Sequence, residues 1–297
     1  MDNKTTTRTA ESWWNTNPFT YNGGIGVGKI AKSDEELTLE YFDRIESRFR
    51  KHSGGSLQNE KEPIFSKFID YESLRGKRVL DIAVGSGFSA VTFARFGAEV
   101  FGIDITDYAI EQTKKNFELR GLKGTILKMD AQKLDFPDNY FDFISAHGCL
   151  MHMPDTQGAV NEIYRVLKPE GKIYAWIYHR GWYFWFNIMF LRGILLGQLF
   201  LNAFNILRLT SKYTDGLPTG GNPHTKMYSR HGFKKLFKKG SFSDIQIVTN
   251  YNRSEWIVWP LQKFSFGKYL PESVQRFLSE KAGFGFSATI TAKKSKI

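Results

Sequence analysis

The stretch RVLDIAVGSGFSAVTFA, residues 78–94, places a short apolar run, an aspartate and two glycines directly before a helical pattern. This order predicts a strand, a nucleotide-binding loop and a helix. The spacing Gly85-x-Gly87-x-x-Ala90 fits the dinucleotide fingerprint as well as it fits other nucleotide sites. The loop alone therefore does not choose the ligand, and the choice depends on the residues that follow the later strands.

Outward from this loop, apolar strands and amphipathic helices alternate, which predicts an α/β fold with a mostly parallel sheet covered on both faces. Two more strand patterns come much later, and an antiparallel final strand fits there. In such sheets ligands bind at the carboxyl ends of the strands. We predict strands at 78–83, 99–104, 124–129, 141–146, 172–178, 243–251 and 286–294, and helices at 88–96, 107–120 and 156–167.

Three aspartates follow the first three predicted strands: Asp81, Asp104 and Asp130. A pyrophosphate on the glycine loop would meet the Asp81 carboxylate at close range, and like charges in a partly dry site cost several kcal/mol. S-adenosylmethionine carries an α-ammonium group and a sulfonium and has no phosphate. Asp104 can accept both ribose hydroxyls, and Asp130 can accept from the adenine amino group. Any one aspartate also fits a helix or turn cap, but the set favours a cationic nucleoside.

Four motifs occur in order over residues 77–180: VLDIAVGSG, VFGIDIT, KMDAQKLDFPDNYFDFISAHGCLMHMPD and EIYRVLKPEGKIYAWIY. This region resembles the class I S-adenosylmethionine-dependent methyltransferases, in particular the small-molecule branch with the ubiquinone- and menaquinone-type enzymes. The resemblance implies a Rossmann-like seven-stranded sheet with an antiparallel last strand. It also implies S-adenosylmethionine as methyl donor, S-adenosylhomocysteine as product and no metal. One departure is Ala83, where the family usually has glycine.

By position, the resemblance assigns cofactor contacts to the strand ends. Asp81, Gly85 and Gly87 would line the methionine half, Asp104 the ribose, and Asp130 with Ala131 the adenine. We expect three further residues to line the same site, namely Ile105, Ser145 and Tyr21.

Two histidines in the loop SAHGCLMHMPD follow the fourth strand, beside the expected sulfonium. A neutral histidine there can take a proton from a hydroxyl during O-methylation, so His147 and His152 are the candidate catalytic bases. Ordinary packing remains an open alternative for both. Histidine near the position of His152 is common in the resembling branch, often without a role as a base.

The N-terminal ESWWNTNPFTYNGGIGVGK, residues 11–29, combines aromatic residues with a glycine-rich run. We predict a flap that closes over the cofactor, with plain packing of the aromatic residues as the alternative. The predicted organisation has four parts, which are an N-terminal helical and flap segment (1–75), a cofactor-binding core (76–180), an apolar helical cap between strands 5 and 6 (181–228) and the C-terminal part of the core (229–297).

Residues 181–210 contain no acidic residue and are unusually apolar. A membrane span needs about 20 apolar residues, whereas the longest stretch between charges here is 193–207 and contains Gln198, Asn202 and Asn205. On an ideal helix these residues and Asn187 share one narrow stripe. The wide apolar face must be buried by something. The protein's own sheet, a second subunit in a homodimer, a lipid surface and a lipophilic substrate are the open alternatives.

The acceptor site is predicted around the cap and the segment PHTKMYSRHGFKKLF, which resembles the region before strand six in small-molecule methyltransferases. The candidate substrate-binding residues are His147, Tyr178, Trp182, His224, Tyr228 and Arg230.

The formal net charge of +11 is concentrated in the last third, where residues 212–297 hold 15 Lys and Arg against 5 Asp and Glu. A basic surface indicates an anionic neighbour such as a membrane, a nucleic acid or a phosphorylated substrate, or a merely solvated face. Cys149 is the single cysteine, which excludes a disulfide framework within the chain. The N-terminus has no apolar core of the secretory type, so we expect a cytoplasmic protein, peripheral at a membrane if the cap meets lipid.

These patterns predict an enzyme that passes the methyl group of S-adenosylmethionine to a small lipophilic acceptor by O- or C-methylation. Two other functions stay open. One is an RNA methyltransferase that uses the basic C-terminal third, whose affinity would fall steeply with salt. The other is a non-catalytic, membrane-associated cofactor binder.

Overall fold

A computed structural model describes residues 3–18, 36–53, 57–59, 61–214, 222–250 and 271–296. Seven strands form one sheet in the order β3-β2-β1-β4-β5-β7-β6. Neighbours from β3 to β5 are parallel, and β7 runs antiparallel to both β5 and β6, which confirms the predicted sheet with its reversed last strand. The strands are β1 (Arg78–Ile82), β2 (Glu99–Asp104), β3 (Thr125–Lys128), β4 (Phe141–His147), β5 (Leu167–Tyr178), β6 (Phe242–Asn250) and β7 (Ser287–Lys294).

Helices cover the sheet, and several begin at a side chain that caps the first turn. Thr106, Asp155 and Ser229 each accept a hydrogen bond from a backbone N–H of the helix that follows, which satisfies a group that the helix itself leaves unpaired. The α-helices are α1 (Asn3–Thr16), α2 (Leu39–Ser53), α3 (Phe88–Arg95), α4 (Asp107–Leu119), α5 (Thr156–Val166), α6 (Gln198–Leu201), α7 (Ile206–Thr214), α8 (Arg230–Lys239) and α9 (Glu272–Glu280).

Both faces of the central strands are buried, as expected for a parallel sheet. In β1, Leu80 and Ile82 pack into one apolar cluster with β4, β5, α5 and α8, while Val79 packs into a second cluster with α3 and α4. Asp81 is the buried polar residue of β1, only 2% exposed, whereas Arg78 at the start of the strand is partly exposed. The fold therefore places one buried carboxylate at the carboxyl end of the middle of the sheet.

The cap differs from the one or two helices with a narrow polar stripe that the sequence predicts. It begins with a π-helix (Tyr183–Leu195) and continues through the short α6 and α7. The chain turns at Gly197, which has a φ of +64°, and again at Ala203 and Phe204, which also have positive φ. Because a π-helix hydrogen-bonds five residues along and the turns reorient the chain, the 100° spacing behind the predicted stripe does not hold. Among the helices that the structure describes, none is both long and apolar enough to cross a bilayer.

Candidate active site

A cavity of about 360 Å³ lies at the carboxyl ends of β1, β2 and β4. The loop between β1 and α3 forms its floor, and residues of α1, α2 and α7 form its other walls. The lining contributed by Asp81, Asp104, Asp130 and the glycine loop is called the acidic half. The rings of Phe49, Phe65, Phe88 and Trp176, which form a connected set of contacts with His147, are called the aromatic half. The position is where the sequence predicts ligand binding.

The glycine loop is held by backbone conformation and by α4. Ala83, Gly85 and Gly87 all have positive φ, at +61°, +57° and +82°. A Cβ on Gly87 would lie 2.9 Å from Cγ2 of Thr113, so only glycine allows this close approach of loop and helix. The Thr113 hydroxyl donates to the Gly85 carbonyl at 3.1 Å, and the Asn116 amide donates to the Ser86 carbonyl at 2.9 Å.

Asp81 is buried at the end of β1, directly opposite Ser145 in the pairing with β4. Its Oδ1 accepts a hydrogen bond from Ser89 Oγ at 3.3 Å. Its buried Oδ2 has no donor within hydrogen-bonding geometry among the described residues, although the neighbouring Ser145 hydroxyl acts to lower the pKa of Asp81. Burial raises the pKa of Asp81 to about 7, and the nearby Asp104 carboxylate acts in the same direction. A cationic partner would relieve both effects.

Asp104 is also buried, at the end of β2. Its Oδ1 accepts from the backbone N–H and the hydroxyl of Thr106, both at 2.9 Å, and its Oδ2 accepts from the Gly85 N–H at 3.3 Å. Burial raises the pKa of Asp104 despite these bonds. Asp130 follows β3, and its Oδ1 accepts from the backbone N–H of Gln132 at 2.9 Å. The three predicted aspartates thus all line one cavity.

His147 lies in the aromatic half. Its ring stacks on Phe65 at 4.5 Å and on Trp176 at 4.9 Å between centroids, and Nδ1 shares a hydrogen bond with the Tyr174 hydroxyl at 2.9 Å. Loss of hydration in these surroundings lowers the pKa of His147 to about 3. The imidazole is therefore neutral at physiological pH and is a weak base.

His152 lies across the cavity, beneath α1. The ring of Trp14 meets it edge to face at 5.2 Å, and its Nδ1 lies 3.3 Å from the Thr225 hydroxyl. Burial lowers the pKa of His152 to about 3, with His224 acting in the same direction. Both candidate bases consequently have little basicity in the structure.

The described part of the predicted flap is α1 and the residues that follow it. Trp14 and Pro18 line the cavity, and Glu11 forms an ion pair with Lys128 at 2.7 Å, which ties α1 to the end of β3. The position of Tyr21 lies outside the described residues.

Many of the predicted site residues come together, while others lie elsewhere. The cavity wall includes Asp81, Gly85, Asp104, Ile105, Asp130, Ala131, His147, His152 and Tyr178. Six predicted site residues are not among the described residues that line the cavity: Gly87, Ser145, Trp182, His224, Tyr228 and Arg230.

Four of the residues outside the wall contact partners elsewhere in the fold. Gly87 packs against Thr113. The Tyr228 hydroxyl donates to Thr156 Oγ1 at 2.9 Å, and the exposed Arg230 reaches towards the Ile247 carbonyl at 3.5 Å. Trp182 stacks on Phe186 at 4.6 Å between centroids. Tyr228 thus contacts the first residue of α5, and Trp182 contacts another aromatic residue of the cap.

Sequence reasoning missed most of the aromatic wall, including Phe49, Phe65 and Trp176. Trp176 and Tyr178 lie two residues apart in β5, so their side chains share one face of the sheet. Because Tyr178 was a predicted site residue, the sequence YAWIY could have predicted Trp176 beside it. Phe49 and Phe65 precede the glycine loop by many residues, and no spacing relates them to it.

Comparison with known proteins places this geometry in context. Residues 80–175 match the family described as "Methyltransferase domain". The sterol 24-C-methyltransferase of Yarrowia lipolytica is 39% identical over 180 residues, which cover 50% of this chain and 46% of that protein. The ubiquinone/menaquinone biosynthesis C-methyltransferase UbiE of Serratia proteamaculans is 38% identical over 104 residues, which cover 33% of this chain and 41% of that protein.

Among solved structures, a SAM-dependent methyltransferase of Thermotoga maritima, described as a possible histamine N-methyltransferase, has a similar fold. It superposes with a TM-score of 0.51 at 18% identity and covers 86% of this chain and 98% of its own. At this identity the likeness concerns the fold. The chain spans less than half the length of the two curated relatives above.

Proposed function

We propose that this chain, whose residues 80–175 match the family described as "Methyltransferase domain", is a class I S-adenosylmethionine-dependent methyltransferase that transfers the methyl group to a small lipophilic acceptor. The observation that carries the proposal is the division of one cavity into an acidic half and an aromatic half. The acidic half suits a cationic nucleoside, and the aromatic half suits an apolar molecule beside it.

The residues of the acidic half fit the cofactor. Asp81 offers a buried oxygen, Oδ2, that accepts no hydrogen bond of good geometry from the described residues, and the α-ammonium group of the cofactor would donate a charge-assisted one. Asp104 keeps free lone pairs on Oδ2 for ribose hydroxyls. Asp130 and Ala131 would flank the adenine, while Ile105 would pack near the ribose.

The aromatic half supports a lipophilic acceptor. Phe49, Phe65, Phe88 and Trp176 line it, and Tyr213 of α7 adds an aromatic ring from the cap. Aromatic side chains bury a large apolar area, so contact with an apolar acceptor stabilises the complex. The two curated relatives described above are named for sterol and quinone methylation, and both acceptor classes are apolar molecules.

The histidines bear on the type of acceptor. An imidazole whose protonated form has a pKa of about 3 is too weak a base to remove a proton from a neutral hydroxyl efficiently. We infer that the acceptor is nucleophilic when it enters, as an electron-rich carbon or an ionised oxygen. His147 and His152 then act on the acceptor as neutral imidazoles, held in position by the rings that pack against them. C-methylation, the chemistry in the names of both relatives, fits this arrangement.

The cofactor supplies a methyl group activated by its sulfonium. The protein aligns the acceptor atom with the bond between sulfur and methyl carbon, and excludes water. Trp14 and Pro18 cover the cavity from α1, while Trp176 and Phe65 hold His147 in place. Transfer would form the bond between the acceptor and the methyl carbon while the bond to sulfur breaks and leaves its electron pair on sulfur. A carbon acceptor would afterwards lose its proton, for which a weak base suffices.

The test is transfer of label from methyl-labelled S-adenosylmethionine into a cell extract that is then separated into lipid, polar small-molecule, RNA and protein fractions. We expect label in the lipid fraction, and none with an Asp104→Ala variant. Label in RNA would replace the proposal with the nucleic-acid alternative. Cofactor binding by calorimetry without label in any fraction would support a non-catalytic binder instead.

A further inference from the structure

Between residues 185 and 207 the cap exposes ten large apolar side chains, which we call the cap face. Their exposed fractions range from 41% for Leu196 to 76% for Leu201. The cap face consists of Trp185, Phe190, Ile194, Leu195, Leu196, Phe200, Leu201, Phe204, Ile206 and Leu207. Soluble monomers rarely expose so many neighbouring apolar residues, so a patch of this kind marks an interaction site.

The cap does not need this face for its own packing. Phe184, Ile188 and Leu209 are buried against the core of the sheet. Gly193 lies where the π-helix crosses the other cap helices, because a Cβ there would meet Leu209 Cδ2 at 3.4 Å and Leu199 Cβ at 3.8 Å. The cap is thus anchored from within, and in the part of the chain that the structure describes its outer residues do not join an apolar core cluster.

Charge distinguishes between partners for the cap face. No Asp or Glu occurs between residues 171 and 214, while the same stretch holds five Lys and Arg. Arg208 is exposed among the apolar residues, and the guanidinium of Arg180 lies 5.9 Å from the Phe184 ring and 5.8 Å from the Trp185 ring. Aromatic and aliphatic side chains flanked by arginines are typical of surfaces that lie in the membrane interface.

A second copy of the chain fits this surface less well. A two-fold interface brings the same patch of both subunits together. The acid-free cap face would then place arginines opposite arginines with no carboxylate from this segment between them. An anionic lipid headgroup, in contrast, complements each of these cations.

We propose that the cap face inserts into the interfacial layer of a bilayer that contains anionic lipid. Tyr213 and Thr214 at the end of α7 line the cavity, so docking brings the cavity wall next to the lipid. A lipophilic acceptor then enters without crossing water. Membrane docking goes beyond the proposed methyl transfer and is measured without any acceptor, so the two fail separately.

The first experiment is co-sedimentation of the full chain with phosphatidylcholine vesicles, with and without phosphatidylglycerol. We expect binding to both, and tighter binding with phosphatidylglycerol. The triple variant Phe200→Ser, Leu201→Ser, Phe204→Ser loses at least about tenfold in affinity for both vesicles. Arg208→Gln weakens binding to the anionic vesicles alone, by about fivefold. Calorimetric titration with S-adenosylmethionine verifies that each variant is folded.

The matched control removes exposed apolar side chains elsewhere. Val274→Ser with Phe277→Ser in α9 leaves vesicle affinity unchanged, because these side chains are 40% and 60% exposed but lie outside the cap face. Absence of wild-type binding to both vesicle types would overturn the proposal, as would equal binding by the triple variant. A wild-type dimer that the triple variant dissociates, in the absence of vesicle binding, would assign the face to a second copy.

A second measurement does not depend on the stability of the triple variant. Leu201→Cys is labelled with a polarity-sensitive fluorophore, since Cys149 is buried and its pKa is raised by burial. Emission shifts to the blue when phosphatidylglycerol vesicles are added. Phe277→Cys carries the same label as the control and shows no shift. Equal emission from both labels would contradict insertion of the cap face.

Discussion

The glycine loop and the cap border the same cavity but are stabilised in different ways. The loop is held by hydrogen bonds to fixed partners in α4 and β2, and by backbone angles that favour glycine. The cap is held by apolar contacts of one side and leaves its other side exposed. Polar geometry makes a site selective for one ligand chemistry, whereas apolar packing tolerates many shapes. The cofactor half should therefore be intolerant of substitution, and the acceptor half adaptable.

The largest expected effect lies in the acidic half. Asp104→Ala removes the acceptor for the ribose hydroxyls and leaves the Gly85 and Thr106 donors without their partner. We expect S-adenosylmethionine affinity to fall by about 100-fold or more, measured by calorimetric titration, with the circular dichroism spectrum retained. An unchanged dissociation constant would remove Asp104 from the proposed site.

The next effect compares two glycines of the loop. Gly87→Ala introduces a Cβ 2.9 Å from Thr113 at a positive φ, whereas Gly85→Ala introduces one into open space at a similar φ. Both pay the strain of a left-handed residue, about 1–2 kcal/mol. Gly87→Ala adds steric overlap of about 1–3 kcal/mol. Denaturant unfolding measures the difference, and equal losses for both variants would show that the loop does not pack on α4.

In the cap, Leu209→Ala and Leu207→Ala form a matched pair on α7. Leu209 is fully buried against the core, while Leu207 is 56% exposed. We expect Leu209→Ala to destabilise the protein by about 2–4 kcal/mol and to lower the rate of methyl transfer more than cofactor affinity. Leu207→Ala changes stability by less than about 0.5 kcal/mol in the absence of lipid. Equal effects in thermal unfolding would contradict the inner packing of the cap.

The pH dependence of cofactor binding tests Asp81. Its pKa of about 7 in the cofactor-free fold means that the carboxyl is protonated below this pH, and only the ionised form pairs with an ammonium. Between pH 7 and pH 5, affinity for S-adenosylmethionine should fall by up to about tenfold per pH unit. An Asp81→Asn variant binds weakly at every pH in this range and shows no slope. A flat wild-type profile would separate Asp81 from the ammonium.

The stability of the cofactor-free protein is expected to change with pH in the opposite direction to its affinity for the cofactor. Because burial raises the pKa of Asp81 from 3.8, the folded state binds more protons than the unfolded state between about pH 4 and pH 7. The cofactor-free protein therefore loses stability as pH rises through this window, by up to about 4 kcal/mol. Asp81→Asn should remove much of that slope in denaturant unfolding.

The glycine loop and the cap also differ in how much of each the sequence could predict. The alternation of strands and helices follows local rules, and together with the resemblance it predicted the seven-stranded sheet with its reversed last strand correctly. The three aspartates expected at strand ends line one cavity, and their roles towards the cofactor stay predictions. The aromatic wall draws Phe49, Phe65 and Trp176 from distant segments, and only tertiary packing unites them. The cap was predicted as helical, but Gly197 and the positive φ of Ala203 and Phe204 divide it, and no periodicity in the sequence marks these turns.

Ala83 gives the smallest and most local test of the loop. It adopts a φ of +61° on the cavity wall, a conformation that costs an alanine about 1 kcal/mol or slightly more and costs glycine little. This cost explains why the resembling methyltransferases usually carry glycine at this position. Ala83→Gly should therefore stabilise the cofactor-free protein by at most about 1 kcal/mol, after the larger entropy of the unfolded glycine is subtracted. Thermal unfolding measures this gain, and a loss of stability would mean that the alanine methyl group packs in the loop.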